Sequence, residues 1–156
     1  LVTRSENVTS ETLYGAEFSA AWEGVGGVGL SAALNWVWGE DDQFGATSPA
    51  DRIPPLNGRV RLDLPLRSWD VAAVLAFAAQ QQRLSPRDVL DPRIDPTGTD
   101  AWAALNLRAS RALGRCCTLT LGIDNIFDER YREHGSGIDA PGRGVIVELA
   151  MPLGGA

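Results

Sequence analysis

Residues 59–82 read RVRLDLPLRSWDVAAVLAFAAQQQ, and their parity decides the fold. Val60, Leu62, Leu64 and Leu66 alternate with Arg59, Arg61 and Asp63. After an Arg-Ser step, Trp69, Val71, Ala73, Leu75, Phe77 and Ala79 alternate with Asp70, Ala72, Val74, Ala76, Ala78 and Gln80. A period of two puts each set on its own face of a β-strand, because successive side chains point to opposite sides. The short step between the runs suits a tight hairpin. The alanine-rich second run also fits an amphipathic helix, so the strand reading needs support from elsewhere in the chain.

The flanking sequence supplies it. Tyr14, Ala16, Phe18, Ala20 and Trp22 alternate with Gly15, Glu17, Ser19, Ala21 and Glu23. Leu30, Ala32, Leu34, Trp36 and Trp38 repeat the pattern, as do Ala103, Leu105, Leu107 and Ala109. So do Leu119, Leu121 and Ile123, and then Val145, Val147, Leu149 and Met151. Seven strands are predicted, at 12–23, 30–38, 59–66, 69–82, 103–110, 118–124 and 145–151. The connections GVGG, RS and GRCC are tight, whereas 40–57, 84–100 and 129–142 are long and polar. Short and long connections alternate throughout, as in an antiparallel meander with turns on one rim and loops on the other. Bacterial outer-membrane barrels are built this way, with short periplasmic turns and long external loops.

Aromatic placement and charge parity agree. With the long loops outside, Tyr14, Trp36, Trp38, Trp102 and Tyr131 fall near the outer rim, and Trp22 and Trp69 near the periplasmic rim. Trp and Tyr favour both membrane–water interfaces. An arginine facing lipid at mid-bilayer costs about 2–4 kcal/mol. Glu17, Arg59, Arg61, Asp63, Arg108, Asp124 and Glu148 all take the polar parity of their strands. Arg111 breaks parity beside a turn, where that cost falls to about 0–1 kcal/mol.

The chain has 156 residues, enough for one ordinary domain, and its net charge of −6 argues against a nucleic-acid partner. All fourteen basic residues are arginine. Cys116 and Cys117 are adjacent and match neither a Cys-x-x-Cys redox motif nor a metal-ligand spacing, so neither cofactor nor metal is expected. No apolar run reaches about 18 residues, which excludes a transmembrane helix. The start at Leu1, without a visible signal peptide, suggests a piece of a longer chain or a processed form. No nucleophile–base set or paired-carboxylate motif appears, so the chain is not expected to be an enzyme.

Several motifs are familiar. NIFDERY (125–131), followed by a loop and Pro-Gly-Arg (141–143), resembles the C-terminal barrel of TonB-dependent outer-membrane receptors. So do NVTSETLYGAEF (7–18), RIPPLNGRVRL (52–62) and QQRLSPRDVLDPRIDPTGT (81–99), in the same order along the chain. The resemblance runs from Asn7 to Leu153 and implies an all-β fold, the C-terminal part of a 22-stranded transmembrane barrel. It also implies a plug domain and earlier barrel strands as partners. The TonB complex would act through that plug to energise import of a ferric siderophore, a similar metal chelate or a cobalamin-like substrate across the outer membrane.

The chain departs from the family pattern in ending MPLGGA rather than on an aromatic residue, so the last strand is expected to stop between Leu149 and Leu153. Seven strands would also leave two open edges, which lipid cannot satisfy, so the segment is not expected to close a barrel alone.

Arg83, Arg87, Arg93, Arg132, His134 and Arg143 are candidate ligand contacts at the external rim. The arginines offer forked hydrogen bonds to an anion, and they could equally pair with nearby aspartates to hold the loops together. His134, the one histidine, is a weak metal signal without a second His or Cys nearby. Gln80, Gln82, Asn106, Arg108 and Asp124 are expected to face the lumen. The competing readings are a passive porin-like channel, a soluble β-rich binding module, and an α+β protein using the alanine-rich segments as helices.

Overall fold

The computed structural model describes residues 10–114 and 117–151. The hairpin at its centre is formed by β4 (Asn57–Leu66) and β5 (Trp69–Ala78), with Leu66 opposite Trp69 and Asn57 opposite Ala78. Around it lie β1 (Ser10–Glu23), β2 (Gly29–Gln43), β3 (Ala46–Pro49), β6 (Trp102–Leu113), β7 (Cys117–Asp124) and β8 (Gly144–Ala150). Every pairing is antiparallel, in the order β1-β2-β4-β5-β6-β7-β8, with β3 attached to the end of β2. Both alanine-rich segments are strands, so the α+β reading fails. The fold is all-β.

Register gives the sheet two distinct faces. Phe18 lies opposite Leu34, Leu30 opposite Leu62, Leu62 opposite Ala73, and Ala73 opposite Leu107. The row continues through Ile123 to Val145. This apolar face has no covering layer: Phe18 is 59% exposed and Val147 71%. Among the described residues the buried apolar side chains are few and mostly small, and the largest fully buried ones are Ser85 and Asp88 in a loop. A soluble sandwich would bury Leu34, Leu62, Leu107 and Val147 together in one interior. Here Leu34 and Val147 are exposed and the other two only half-buried.

One rim carries the tight connections, a 3-10 turn at Val25–Gly27 and the Arg67–Ser68 step, whose Arg67 has φ 57°. The other rim carries the long loops. The strand β3 is an addition to the seven predicted. Phe44 and Gly45 take positive φ values of 55° and 84°, and the Gly45 N–H donates to the Asp42 carboxylate at 2.8 Å. That tight turn prolongs β2 past residue 38 into a hairpin at the long-loop rim. The expected 84–100 loop contains a short helix, α1 (Pro86–Leu90). The strand β8 ends at Ala150, while Pro152 and Cys116 lie outside the described residues.

Candidate functional site

The long loops are fastened before they offer anything to a ligand. The first and second are joined at Asp88, whose carboxylate accepts the Arg52 N–H at 3.1 Å and the Ser85 N–H at 3.1 Å. The Ser85 hydroxyl in turn accepts the Asp88 N–H at 2.9 Å, a reciprocal cap that starts α1. That hydroxyl donates across to Asp51 at 2.8 Å. The sequence Ser85-Pro86-Arg87-Asp88 carries the signal for this cap, with proline at the first helical position.

Four of the five candidate arginines are engaged within the rim. Arg83 donates to the Gly39 carbonyl at 2.6 Å and to Glu40 at 3.1 Å, with its guanidinium 3.7 Å from the centre of the Trp38 ring. It thereby ties the second loop to β2. Arg87 pairs with Asp51 at 3.0 Å. Arg93 grips Asp91 through Nε at 2.9 Å and Nη2 at 2.6 Å, which holds the Asp91 carboxyl well below the usual carboxylate range. Arg132 grips Asp139 at 2.8 and 2.6 Å. Arg143 anchors through its backbone, its N–H donating to Asp128 at 2.8 Å. These pairs are mostly exposed, so each adds little stability.

Between the second and third loops lies a cleft of about 340 Å³. Its floor is the Trp102 ring stacked on Tyr131, with centroids 4.0 Å apart and planes 23° apart. Arg93, Arg130 and Arg132 line it with Asp95 and Asp139. The Arg130 side chain, not singled out by sequence reasoning, has no hydrogen-bond or ion-pair partner among the described residues. The Thr97 hydroxyl and N–H donate to Asp95, which lowers the pKa of that carboxyl. Burial raises the Tyr131 hydroxyl pKa.

His134 sits beside this cleft, in a second hollow of about 260 Å³ shared with Trp102, Pro54 and Phe77. Its Nδ1 shares a 2.9 Å hydrogen bond with the Thr99 hydroxyl, and its shielded Nε2 has no partner. Burial lowers its pKa, which favours the neutral ring. Among the described residues no three His, Cys, Asp or Glu side chains gather to hold a metal ion.

The expected interfacial aromatics divide. Tyr14, Trp36 and Trp38 cluster on the apolar face near the long-loop rim, at centroid distances of 5.9 and 6.5 Å from Tyr14. Trp22 and Trp69 lie on the same face at the opposite rim, paired with Leu30 and Leu66. Trp102 departs from expectation: it pairs with Ala78, on the polar face, and its partner Tyr131 belongs to the third loop. Both rings therefore line the cleft and do not lie on the apolar belt.

The polar face holds Arg108, Asn106 and Asp124 as expected. Arg108 donates to Asp124 at 2.7 Å, and a Cβ on the facing Gly122 would meet that guanidinium at 2.9 Å. Gly122 therefore makes room for the arginine to lie across the sheet. Asn106 Oδ1 accepts the Asn125 N–H at 2.9 Å. Gln80 and Gln82 are exposed and lie past the end of β5, where strand parity no longer applies. The buried glutamine is their neighbour Gln81, which donates to the Ile53 carbonyl at 2.8 Å and bridges to Thr99.

A bare apolar face, a charged opposite face and loops confined to one rim describe a piece of β-barrel wall. The chain is similar to the solved structure of the copper transporter OprC, with a TM-score of 0.73 and 21% identity over 89% of this chain. It spans 23% of that transporter's length. No protein-family model and no curated protein sequence matches it.

Proposed function

We propose that this segment is wall and mouth of a TonB-dependent transporter in the outer membrane, importing a scarce metal as a chelate. The observation that carries the reading is the two-faced sheet. Its apolar face has no covering layer across seven paired strands, half-buried in the middle and exposed at Phe18 and Val145. Hydrocarbon is the natural cover for such a surface, and the Arg108–Asp124 side is the natural lumen. The unpaired edges of β1 and β8 call for further strands, and a chain spanning 23% of a similar transporter leaves length for them and for a plug. TonB would act through that plug. The segment serves transport, not catalysis.

The cleft suits an anionic chelate better than a bare ion. It offers the free Arg130 guanidinium and the Trp102–Tyr131 stack, the orphan His134 Nε2 lies in the neighbouring hollow, and the described residues form no metal-ligand cage. Arginine forks match carboxylate-type ligands, and stacked rings accept flat ones. The test is disruption of the gene, followed by growth limited in turn for copper, siderophore-bound iron, haem and cobalamin. Loss of uptake of one nutrient, reproduced when the TonB complex is inactivated, is the expected result. Normal uptake of all of them refutes the reading, and uptake that survives de-energised membranes returns the passive channel.

A further inference from the structure

We propose a lipid-binding site on the apolar face at the tight-turn rim, where Arg111 and Trp69 hold the phosphodiester of an anionic glycerophospholipid. The proposal rests on the membrane reading above. Among described strand residues with apolar parity, the charged ones are Glu40, Asp42 and Arg111. The first two lie on the external extension of β2 and are occupied, Glu40 by Arg83 and Asp42 by the Gly45 N–H. Arg111 stands at the opposite rim, paired in register with Leu119. Its neighbours on that face are Ala109 and Leu113 along β6, Leu119 on β7, and Trp69, whose ring centre lies 5.9 Å from the guanidinium. The acids in this part of the sheet, Asp70, Asp63 and Glu148, take the polar parity and point the other way.

Arg111 is therefore an exposed guanidinium on a hydrocarbon-facing surface, and among the described strand residues no carboxylate shares its side of the sheet at this rim. It stands two residues from the strand end at Leu113, at the depth where lipid headgroups begin. A second arginine, Arg67, sits in the turn just before Trp69. The missing counter-charge is an anion, and the headgroup layer of the inner leaflet supplies phosphates. A planar guanidinium grips a phosphate through two parallel hydrogen bonds, while an interfacial indole beside it packs against the glycerol and upper chain. On the apolar face the two rims thus differ: protein groups satisfy Glu40 and Asp42 at the outer one, and lipid completes the inner one.

The test uses the complete natural chain, folded and detergent-solubilised, with phosphatidylglycerol and phosphatidylcholine as probes and native mass spectrometry as readout. Phosphatidylglycerol should be retained about fivefold over phosphatidylcholine, the preference one basic residue gains beside an anionic surface. Arg111→Gln should abolish that preference, Arg111→Lys should keep part of it, and the polar-face control Arg59→Gln should leave it unchanged. Equal phosphatidylglycerol retention by Arg111→Gln and the natural chain overturns the site and leaves the barrel reading standing. If the natural chain fails to insert into vesicles, shown by no heat-modifiable folded band and full protease sensitivity, the barrel reading falls and the lipid site with it.

Discussion

Neighbouring substitutions in the middle of β5 test the assignment of the two faces. Leu75 lies on the apolar face between Val60 and Leu105 and is 39% exposed. Val74 lies on the polar face between Arg61 and Asn106. From the rim residue Trp69 to Leu75, a rise of about 3.3 Å per residue on a strand tilted by about 45° gives roughly 14 Å along the membrane normal. That is close to half of the hydrocarbon thickness of about 30 Å, so both residues sit near the midplane. Leu75→Arg should then cost about 2–4 kcal/mol, a fall of roughly 30- to 700-fold in the ratio of folded to unfolded protein. Val74→Arg enters water and meets only the like charge of Arg61, which costs at most about 1 kcal/mol. The assay is urea titration of the complete chain in phospholipid vesicles, with the folded fraction read from the heat-modifiable gel band. Equal losses for the two variants, or a larger loss for Val74→Arg, would refute the lipid-facing assignment.

Asp88→Ala strands the Arg52 and Ser85 N–H groups, each worth about 1–3 kcal/mol when left unsatisfied. Hydrogen exchange should quicken at residues 50–53 and 84–89 while the strand amides keep their protection. Gly98 has φ 111°, and a Cβ there would lie 2.4 Å from the Gln81 carbonyl oxygen, so Gly98→Ala should break the Gln81–Thr99 bridge. Exchange at Gln81 and Thr99 should then approach that of free loop. For His134 the folded pKa lies below the ordinary 6.5, so the unfolded loop binds a proton more readily and the ring's contribution to loop order is present above pH 6.5. That contribution is lost as pH falls below 6.5, so protection factors at residues 131–138, corrected for the intrinsic pH dependence of amide exchange, should fall there, and His134→Gln should remove that fall.

Parity, with the alternation of short and long connections, marks every long strand, because exposure of one whole face favours regular alternation and leaves little room for irregularity. It failed where alternation stops having a cause. Residues 79–82 continue the pattern in letters, yet the Ala79 N–H turns to the Leu56 carbonyl and Gln81 pairs with Thr99, so β5 is already over. The place of Trp102 at a strand end points to the belt. Its parity with Ala104, Asn106 and Arg108 was the stronger evidence, and the Tyr131 stack shows what the polar side offered it. The arginines were legible as a rim cluster but not as ligands or locks. That choice depends on which aspartate the loops deliver to each, and contacts such as Arg52–Asp91 and Arg87–Asp51 span loops far apart in sequence. The β2–β3 hairpin was hidden because its turn is Phe-Gly, not one of the commoner Asn-Gly or Asp-Gly pairs.

The stretch that prompted the family resemblance has a local physical explanation. Asn125 and Asp128 of NIFDERY both take positive φ, 47° and 57°, where a short polar side chain is tolerated. The buried Asn125 accepts the Glu129 N–H at 2.9 Å and donates to the Glu129 carbonyl at 2.8 Å and the Pro141 carbonyl at 3.3 Å. Asp128 takes the Arg143 N–H, and a Cβ on Gly142 would lie 2.7 Å from its carboxylate. NIFDERY and PGR are therefore the two ends of one clasp. It closes the base of the third loop and delivers Arg143 to the start of β8. Such a clasp serves any cargo, so these motifs can mark an architecture without marking a substrate. On the proposed transport role, discrimination would fall to what the clasp displays between its ends: Arg130 and Tyr131 in the cleft with Trp102, and His134 in the neighbouring hollow. If the segment serves the proposed import, substitutions in the clasp should lower the heat-modifiable folded band and with it the uptake of every substrate, whereas substitutions at Arg130 or His134 should change which substrate supports growth and leave that band intact.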